Sequence, residues 1–173
     1  MLLILWLVGV CGVCPAQSAF IEKTRSPVVE KMKITDLEAY IQHADHPLII
    51  SFWATYCAPC IKEIPYLQST VLDYKSRGVE LILVSLDRQD HYPMGIGDFA
   101  KKSGYTSRII WLDETDAGYF CPKIDPHWKG GIPSSLFINN ETRYRQFFDR
   151  QVTDRQVEQQ IKMMLFTPPP VAG

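Results

Sequence analysis

Cys57 and Cys60 stand three residues apart in the 173-residue chain, a spacing that suits thiol–disulfide chemistry. They follow an apolar run, residues 48–53, that is typical of a buried strand, and they precede a segment of helical periodicity. At a helix N-terminus, free N–H groups and the helix dipole favour an anion, so Cys57 should ionise readily and act as a nucleophile. Cys60, one turn further on, can attack the mixed disulfide and release the product. Pro59 removes a donor that the first turn does not use and stiffens that turn.

A static disulfide and half of a zinc site are the alternative interpretations of this pair. A zinc site needs about four ligands, commonly from a second CxxC or a spaced histidine pair. Cys121 and His127 are the later candidates, and their spacing is not a usual zinc pattern. The position between a strand and a helix therefore favours redox chemistry, with no metal and no bound cofactor.

The elements around the pair must build a sheet that holds this strand-to-helix turn. Their order indicates an α/β sandwich with a mixed sheet. The pattern predicts strands over 48–53, 79–86, 107–112, 134–138 and 143–148, and helices over 35–42, 61–77, 98–103 and from 154 onward. Capping boxes that start at Thr35 and Thr153 mark the first and last helices. Residues 87–97 are predicted to form a polar turn region, 113–131 an irregular stretch with one helical turn near Tyr119, and Asn139-Asn140 a hairpin turn.

The two ends of the chain differ from its middle in composition. Residues 1–18 combine an apolar run with small residues and are typical of a secretory signal peptide; because no Lys or Arg precedes the run, an uncleaved anchor is the alternative. Residues 19–33 are expected to be an exposed lead-in, and residues 34–166 the folded domain. Residues 167–173 form a Pro-rich tail that is expected to be flexible and cannot continue a helix.

The cysteine count bears on the remaining thiols and on lipid attachment. Five cysteines are present, and removal of the leader would leave three, so one thiol would stay free in an oxidising compartment. Cys121 is interpreted as a buried small apolar residue, with a third redox thiol as the alternative. His127 is interpreted as an ordinary histidine, with a place on the active-site rim as the alternative. A lipid anchor on Cys11 or Cys14 is disfavoured because neither follows the usual Gly or Ala.

Two segments resemble a known family. Residues 52–65, FWATYCAPCIKEIP, resemble the active-site segment of the thioredoxin superfamily, most closely its TlpA/ResA-like exported branch. Residues 131–138, GIPSSLFI, resemble the cis-proline loop and the following strand of that superfamily. The resemblance extends from Leu48 to the last helix and implies a thioredoxin-like three-layer sandwich, a mixed central sheet flanked by helices.

The resemblance also implies residue roles. Cys57 would be the attacking thiol and Cys60 the resolving thiol. Pro133 would follow a cis peptide bond and pack against the cysteines, and the backbone at Ile132 would dock an extended substrate. Trp53 would support the active-site loop.

Three positions near the cysteines raise questions about this pattern. Tyr56 replaces the tryptophan usual before the first cysteine and keeps an aromatic side chain there. Ser51 lies where thioredoxins proper carry a buried Asp that moves the proton of the second cysteine, and a serine cannot do so at neutral pH. Glu63 is the nearest acid in sequence and a candidate supporting residue, but the default interpretation is a carboxylate that points to solvent.

These observations predict an exported thiol–disulfide oxidoreductase of the periplasm or cell envelope. The resemblance to the TlpA/ResA-like branch implies that it acts as a reductant, with an oxidase as the alternative. Its partners would be cysteine-containing exported proteins and an upstream electron donor, with membrane contact only through an uncleaved leader or a lipid anchor. The net charge of −1 gives no sign of nucleic-acid binding. A thioredoxin-fold peroxidase would typically carry one peroxidatic cysteine in a Thr/Pro-rich loop, and the CxxC pair argues against it. A copper-delivery protein would bind metal tightly through the cysteines and a histidine.

Overall fold

The computed structural model describes residues 27–166, so the predicted leader, the start of the lead-in and the tail lie outside the described residues. Strands and helices alternate through most of this range. The strands are β1 (Val29–Met32), β2 (Leu48–Trp53), β3 (Glu80–Ser85), β4 (Arg108–Leu112), β5 (Ser134–Asn139) and β6 (Tyr144–Phe148). The α-helices are α1 (Ile34–His43), α2 (Ala58–Asp73), α3 (Met94–Lys102), α4 (Ala117–Ile124) and α5 (Asp154–Met164). Within residues 27–166, no helix combines the length and apolarity needed to cross a membrane.

The six strands form one mixed sheet in the order β1-β4-β3-β2-β5-β6. The first four strands of this order are parallel, whereas β5 runs antiparallel to β2 and to β6. Strands β2 and β3 are parallel, and β5 is antiparallel to β2. The carboxyl ends of β2 and β3 therefore lie beside the amino end of β5. This row of strand ends is called the upper edge below.

Apolar side chains cover both faces of the sheet, which confirms the predicted mixed sheet between helices. On one face the side chains of α2, α3 and α5 pack with alternate residues of the central strands in a cluster that contains Trp53, Cys60 and Phe137. On the other face α1 and α4 pack against the remaining residues, among them Phe52 and Leu136. Strand β2 is buried along its whole length, as its largely apolar sequence predicts.

Local signals place the helices that matter most for the site. The predicted capping box is present at α5, where the Thr153 hydroxyl accepts a hydrogen bond from the Gln156 N–H and the Gln156 side chain accepts one from the Thr153 N–H. Helix α2 starts directly after Cys57 and leads into a short 3₁₀ turn that Gly78 closes. Gly78 has a φ of 73°, a left-handed conformation that glycine adopts without strain.

Two predictions near the start of the described chain were wrong. The lead-in predicted over residues 19–33 contains β1, which pairs with β4 at the sheet edge. Its short, charged sequence hides the strand, since only Val29 of its four residues is buried. The Thr35 capping box does not form, because α1 begins at Ile34 and its N-cap, Lys33, makes no side-chain hydrogen bond. The Glu114 side chain instead accepts a hydrogen bond from the free Ile34 N–H.

Two helices are longer than predicted. Helix α3 begins at Met94 rather than at residue 98, because burial of Ile96 and Ala100 outweighs the two glycines of its first turn. Helix α4 replaces the single turn predicted near Tyr119; the Asp116 carboxylate caps it, and it buries one apolar side.

The hairpin between β5 and β6 also differs from the prediction. Residues 140–143 form its loop, in place of a two-residue Asn139-Asn140 turn. The Asn140 side-chain amide donates hydrogen bonds to the carbonyls of Ile41 and Ala44 at the end of α1. This contact with a distant helix is invisible to a local turn pattern.

Candidate active site

Cys57 and Cys60 form a disulfide at the N-terminus of α2, with an S–S distance of 1.98 Å and a Cα–Cα distance of 5.3 Å. Cys57 is the N-cap residue, as predicted, and its sulfur accepts a hydrogen bond from the Cys60 N–H at 3.3 Å. Pro59 lies in the first turn of the helix. The N–H groups at this helix start favour a thiolate on Cys57 in the reduced protein. Cys57 is 7% exposed and Cys60 only 1%, so an incoming substrate reaches the Cys57 sulfur more easily.

The upper edge of the sheet brings the second predicted motif to the same place. Strand β2 leads into Cys57, and the GGIP loop leads into β5, which pairs with β2 from Leu48 to Phe52. The Ile132–Pro133 peptide bond is cis, which is the geometry that the resemblance implies. Pro133 is buried, whereas Ile132 is half-buried and packs against the cluster that contains both cysteines. Motifs about 70 residues apart in sequence thus border one site.

Glu63 is fully buried, so the interpretation as a solvent-facing carboxylate was wrong. It follows Cys60 by three residues on α2, and residues at this spacing share one helix face. That face turns towards the sheet, where the carboxylate accepts hydrogen bonds from the Ser135 hydroxyl at 3.3 Å and the Val152 N–H at 3.1 Å. Burial raises the pKa of Glu63 to about 7, although these two hydrogen bonds oppose the rise.

The neighbourhood of Glu63 explains how Ser51 can occupy the position of the thioredoxin aspartate. Ser51 and Ser135 are register partners on adjacent strands and are both buried. Ser135 donates a hydrogen bond to Glu63, so the buried acid next to this pair of serines comes from α2 and not from β2.

The two aromatic residues before Cys57 lie in different environments. Trp53 is fully buried, and its ring packs against Phe99 and Tyr105 with centroids 6.0 Å and 5.4 Å away. Its carbonyl accepts a hydrogen bond from the Leu86 N–H, which joins the ends of β2 and β3. Tyr56 is 70% exposed directly beside Cys57, so it offers apolar surface to a substrate.

Asp87 is a site residue that the sequence pattern placed in a solvated turn, yet it is only 5% exposed. It stands two residues after β3 at the upper edge. Its carboxylate accepts hydrogen bonds from the Thr55 N–H, the Thr55 hydroxyl and the Ser85 hydroxyl. An acid placed just after a parallel strand that neighbours the CxxC strand is the signal that could have found it.

Cys121 is buried and free, as the default interpretation predicted. Burial raises the pKa of its thiol to about 11, which makes it a poor nucleophile at neutral pH. It lies beneath the GGIP loop, since a Cβ atom added at Gly130 would stand 3.5 Å from its sulfur. The His127 side chain is 92% exposed, whereas the neighbouring Trp128 is buried and donates a hydrogen bond to the Gly131 carbonyl.

A metal site was the alternative interpretation of the cysteine pair. Among residues 27–166, no group of three or more His, Cys, Asp or Glu side chains is arranged to hold a metal ion.

Comparison with known proteins agrees with this geometry. Residues 23–142 match the AhpC/TSA family. The thiol-disulfide oxidoreductase ResA of Bacillus cereus is 29% identical over 164 residues, covering 91% of this chain and 90% of that protein. The crystal structure of StoA from Bacillus subtilis has a TM-score of 0.54 at 25% identity and covers 70% of this chain and 86% of its own. A thioredoxin-family thiol:disulfide interchange protein from Chlorobium tepidum has a TM-score of 0.58 at 20% identity, over 75% and 85% of the two chains. The expected thioredoxin fold is confirmed.

Proposed function

The chain belongs to the AhpC/TSA family, and we propose that it works as a thiol–disulfide oxidoreductase that reduces disulfides in exported proteins. The observation that carries this proposal is the Cys57–Cys60 disulfide at the start of α2, bordered by the GGIP loop. The relatives named thiol-disulfide oxidoreductase ResA support this reaction class, because this chain matches them over almost their whole length.

The proposed reaction has two steps. The Cys57 thiolate attacks one sulfur of a client disulfide, forming a mixed disulfide while the other client sulfur leaves as a thiolate and takes up a proton. Cys60 then loses its proton and attacks the Cys57 sulfur, so the client leaves as a dithiol and the Cys57–Cys60 disulfide forms. The client gains two electrons, and an upstream dithiol donor must return two electrons to the enzyme.

Glu63 is proposed to accept the Cys60 proton in the second step. It shares a helix face with Cys60, and a pKa of about 7 leaves both of its protonation states populated at neutral pH. Glu63→Gln keeps the size of the side chain but removes the base, so mixed disulfide should accumulate. Glu141→Gln, a change at an exposed carboxylate in the β5–β6 loop, is the matched control.

Client docking is proposed at the upper edge. An extended client segment would pair with the backbone at Ile132, beside Pro133, which offers no N–H of its own. The exposed ring of Tyr56, next to Cys57 in sequence, would also contact the client. The buried ring of Trp53 would support the loop of residues 54–57.

Reduction of insulin disulfides by a dithiol donor tests the reaction class. Cys57→Ser should abolish turnover, and Cys60→Ser should trap client mixed disulfides, while Cys121→Ser should behave as the native protein. If Cys60 is alkylated faster than Cys57 in the reduced protein, the roles of the two cysteines are reversed. Hydrogen peroxide offered in place of insulin tests the peroxidase alternative, which requires faster turnover of peroxide.

The direction of electron flow needs a separate measurement, the reduction potential against glutathione. A value near −270 mV would support a reductant, and one near −120 mV would indicate an oxidant. Export is tested by N-terminal sequencing of the natively produced protein. A mature start near Gln17 or Ala19 supports it, and an intact Met1 in a soluble cytoplasmic fraction contradicts it.

A further inference from the structure

The carboxylate of Asp87 is built into the structure that supports the active-site loop. Its oxygens lie 3.1 and 3.2 Å from the Thr55 nitrogen, 2.6 Å from the Thr55 hydroxyl and 2.8 Å from the Ser85 hydroxyl. The Asp87 backbone is fixed as well, because its carbonyl accepts a hydrogen bond from the Trp111 indole at 2.7 Å. The donors from Thr55 and Ser85 all point at the carboxylate, so its position relative to the loop is fixed.

The position of Thr55 places this charge against the segment that leads into the attacking cysteine. Thr55 precedes Cys57 by two residues, so at most about 7 Å of backbone separates their nitrogen atoms. The turn between them is tight, since the Cys57 N–H donates a hydrogen bond to the Ala54 carbonyl at 3.0 Å. The carboxylate oxygens lie about 3 Å from the Thr55 nitrogen, so the charge is within about 10 Å of the Cys57 nitrogen. A negative charge at this range opposes the helix dipole of α2 and disfavours a thiolate.

Among residues 27–166, the side chains that contact Asp87 are neutral except for one histidine. Thr55, Ser85 and Trp111 are neutral donors. The ionisable partner is His91, whose ring nitrogen lies 3.9 Å from the carboxylate and whose side chain is 52% exposed. His91 sits in the loop after β3, so it approaches Asp87 from the solvent side.

We propose that Asp87 is a positioning residue that fixes the loop before Cys57 and, through its charge, biases the reduced Cys57 towards the neutral thiol. This bias leaves the dithiol less stabilised relative to the disulfide and so favours a protein that gives up electrons. The proposal rests on the proposed function only in taking Cys57 as the attacking thiol.

The pH dependence of Cys57 alkylation in the reduced protein tests this proposal, followed by mass spectrometry of the Cys57 peptide. Asp87→Asn removes the charge and keeps an acceptor for Thr55, so the midpoint should move about one pH unit towards acid. This corresponds to about a tenfold gain in thiolate below the midpoint. Thr55→Val removes the hydroxyl contact and keeps the charge, and its midpoint should move less than a third as far. Asp90→Asn, an exposed acid of the same loop, should leave the midpoint in place.

A surface variant keeps the test decisive if Asp87→Asn does not fold. His91→Lys places a permanent cation beside the carboxylate, and its midpoint should move towards acid by about 0.3 to 0.5 pH units relative to His91→Gln. At a pH above the Cys57 pKa, the equilibrium with glutathione should also shift towards the dithiol in Asp87→Asn, by about tenfold or about 30 mV.

Two results would overturn the proposal. One is an unchanged midpoint in Asp87→Asn, or in His91→Lys where Asp87→Asn does not fold; the other is an equal shift in Thr55→Val and Asp87→Asn. The alkylation profile reports the thiol directly and needs no client. A failure of the proposed function would therefore appear in the insulin assay of the native protein and not in these midpoints.

Discussion

Replacing Glu63 by glutamine would remove a buried charge while keeping the shape of the side chain. The glutamine oxygen can still accept the hydrogen bond from the Val152 N–H, and its amide can donate to the Ser135 hydroxyl. The perturbation is therefore electrostatic, and its effect on stability should depend on pH.

The sign and size of this effect follow from the Glu63 pKa. The pKa is about 7 in the folded protein against 4.5 for an ordinary glutamate, so the native state holds a proton that the unfolded chain has lost between these pH values. The free energy of unfolding therefore falls as the pH rises through this window. Each unit of pKa corresponds to about 1.4 kcal/mol, so the ionised side chain destabilises the fold by about 3 kcal/mol above pH 7. Glu63→Gln escapes this penalty.

Denaturant unfolding of the oxidised protein at pH 4 and pH 8 measures the effect. The stability of Glu63→Gln relative to the native sequence should rise by about 3 kcal/mol between the two pH values. Glu141→Gln should show no such rise, because Glu141 is exposed. A constant difference between Glu63→Gln and the native sequence at both pH values would refute the reasoning, since the buried carboxylate would then titrate as it does in the unfolded chain.

Three further predictions concern residues outside the reaction. Thr153→Ala removes the capping box of α5 and should lower the free energy of unfolding by about 1 kcal/mol in a denaturant titration. Native protein at pH 8 should show almost no iodoacetamide labelling of Cys121, whose pKa is about 11, whereas denatured protein should label fully. Hydrogen bonds to Asp45 and Glu80 raise the pKa of His46, so its stabilisation is complete below pH about 6.5 and is lost as the pH rises through the native pKa. The stability of His46→Gln, measured from pH 5 to 9, should lack this loss.

The parts of the fold that local sequence predicted are those in which one pattern dominates. The bounds of β2 match the prediction because five of its six residues are apolar and they cover both faces. Helix α5 starts where its capping box predicts, and Cys57 lies at a helix start because a buried strand and an amphipathic segment flank it. These features depend on neighbours within a few residues.

The missed features depend on partners far along the chain. Strand β1 is stabilised by pairing with β4, about 80 residues later, and its own sequence carries little strand signal. Glu63 was placed in solvent because a lone acid on a helix is usually exposed, but its partners Ser135 and Val152 come from β5 and from the segment before α5. Asp87 resembles a turn residue until Thr55 is brought beside it. The tertiary contacts of these two acids, and not their residue type, determine their surroundings.

Glu63 and Asp87 are buried carboxylates that contact the chain at different points: Glu63 lies on α2 after Cys60, and Asp87 binds Thr55 before Cys57. They suit different steps of the proposed reaction. Glu63 lies three residues after Cys60 on α2, on the side of the helix that packs against the sheet. Burial there raises the pKa of Glu63 to about 7. Such a group can take up one proton and release it again in each cycle. Asp87 lies at the end of β3 and holds the loop before Cys57 through neutral donors. The parallel pairing of β2 and β3 places the loop that contains Asp87 beside the turn from β2 to α2. Helix α2 packs on one face of the sheet, and the Glu63 side chain lies between the helix and that face.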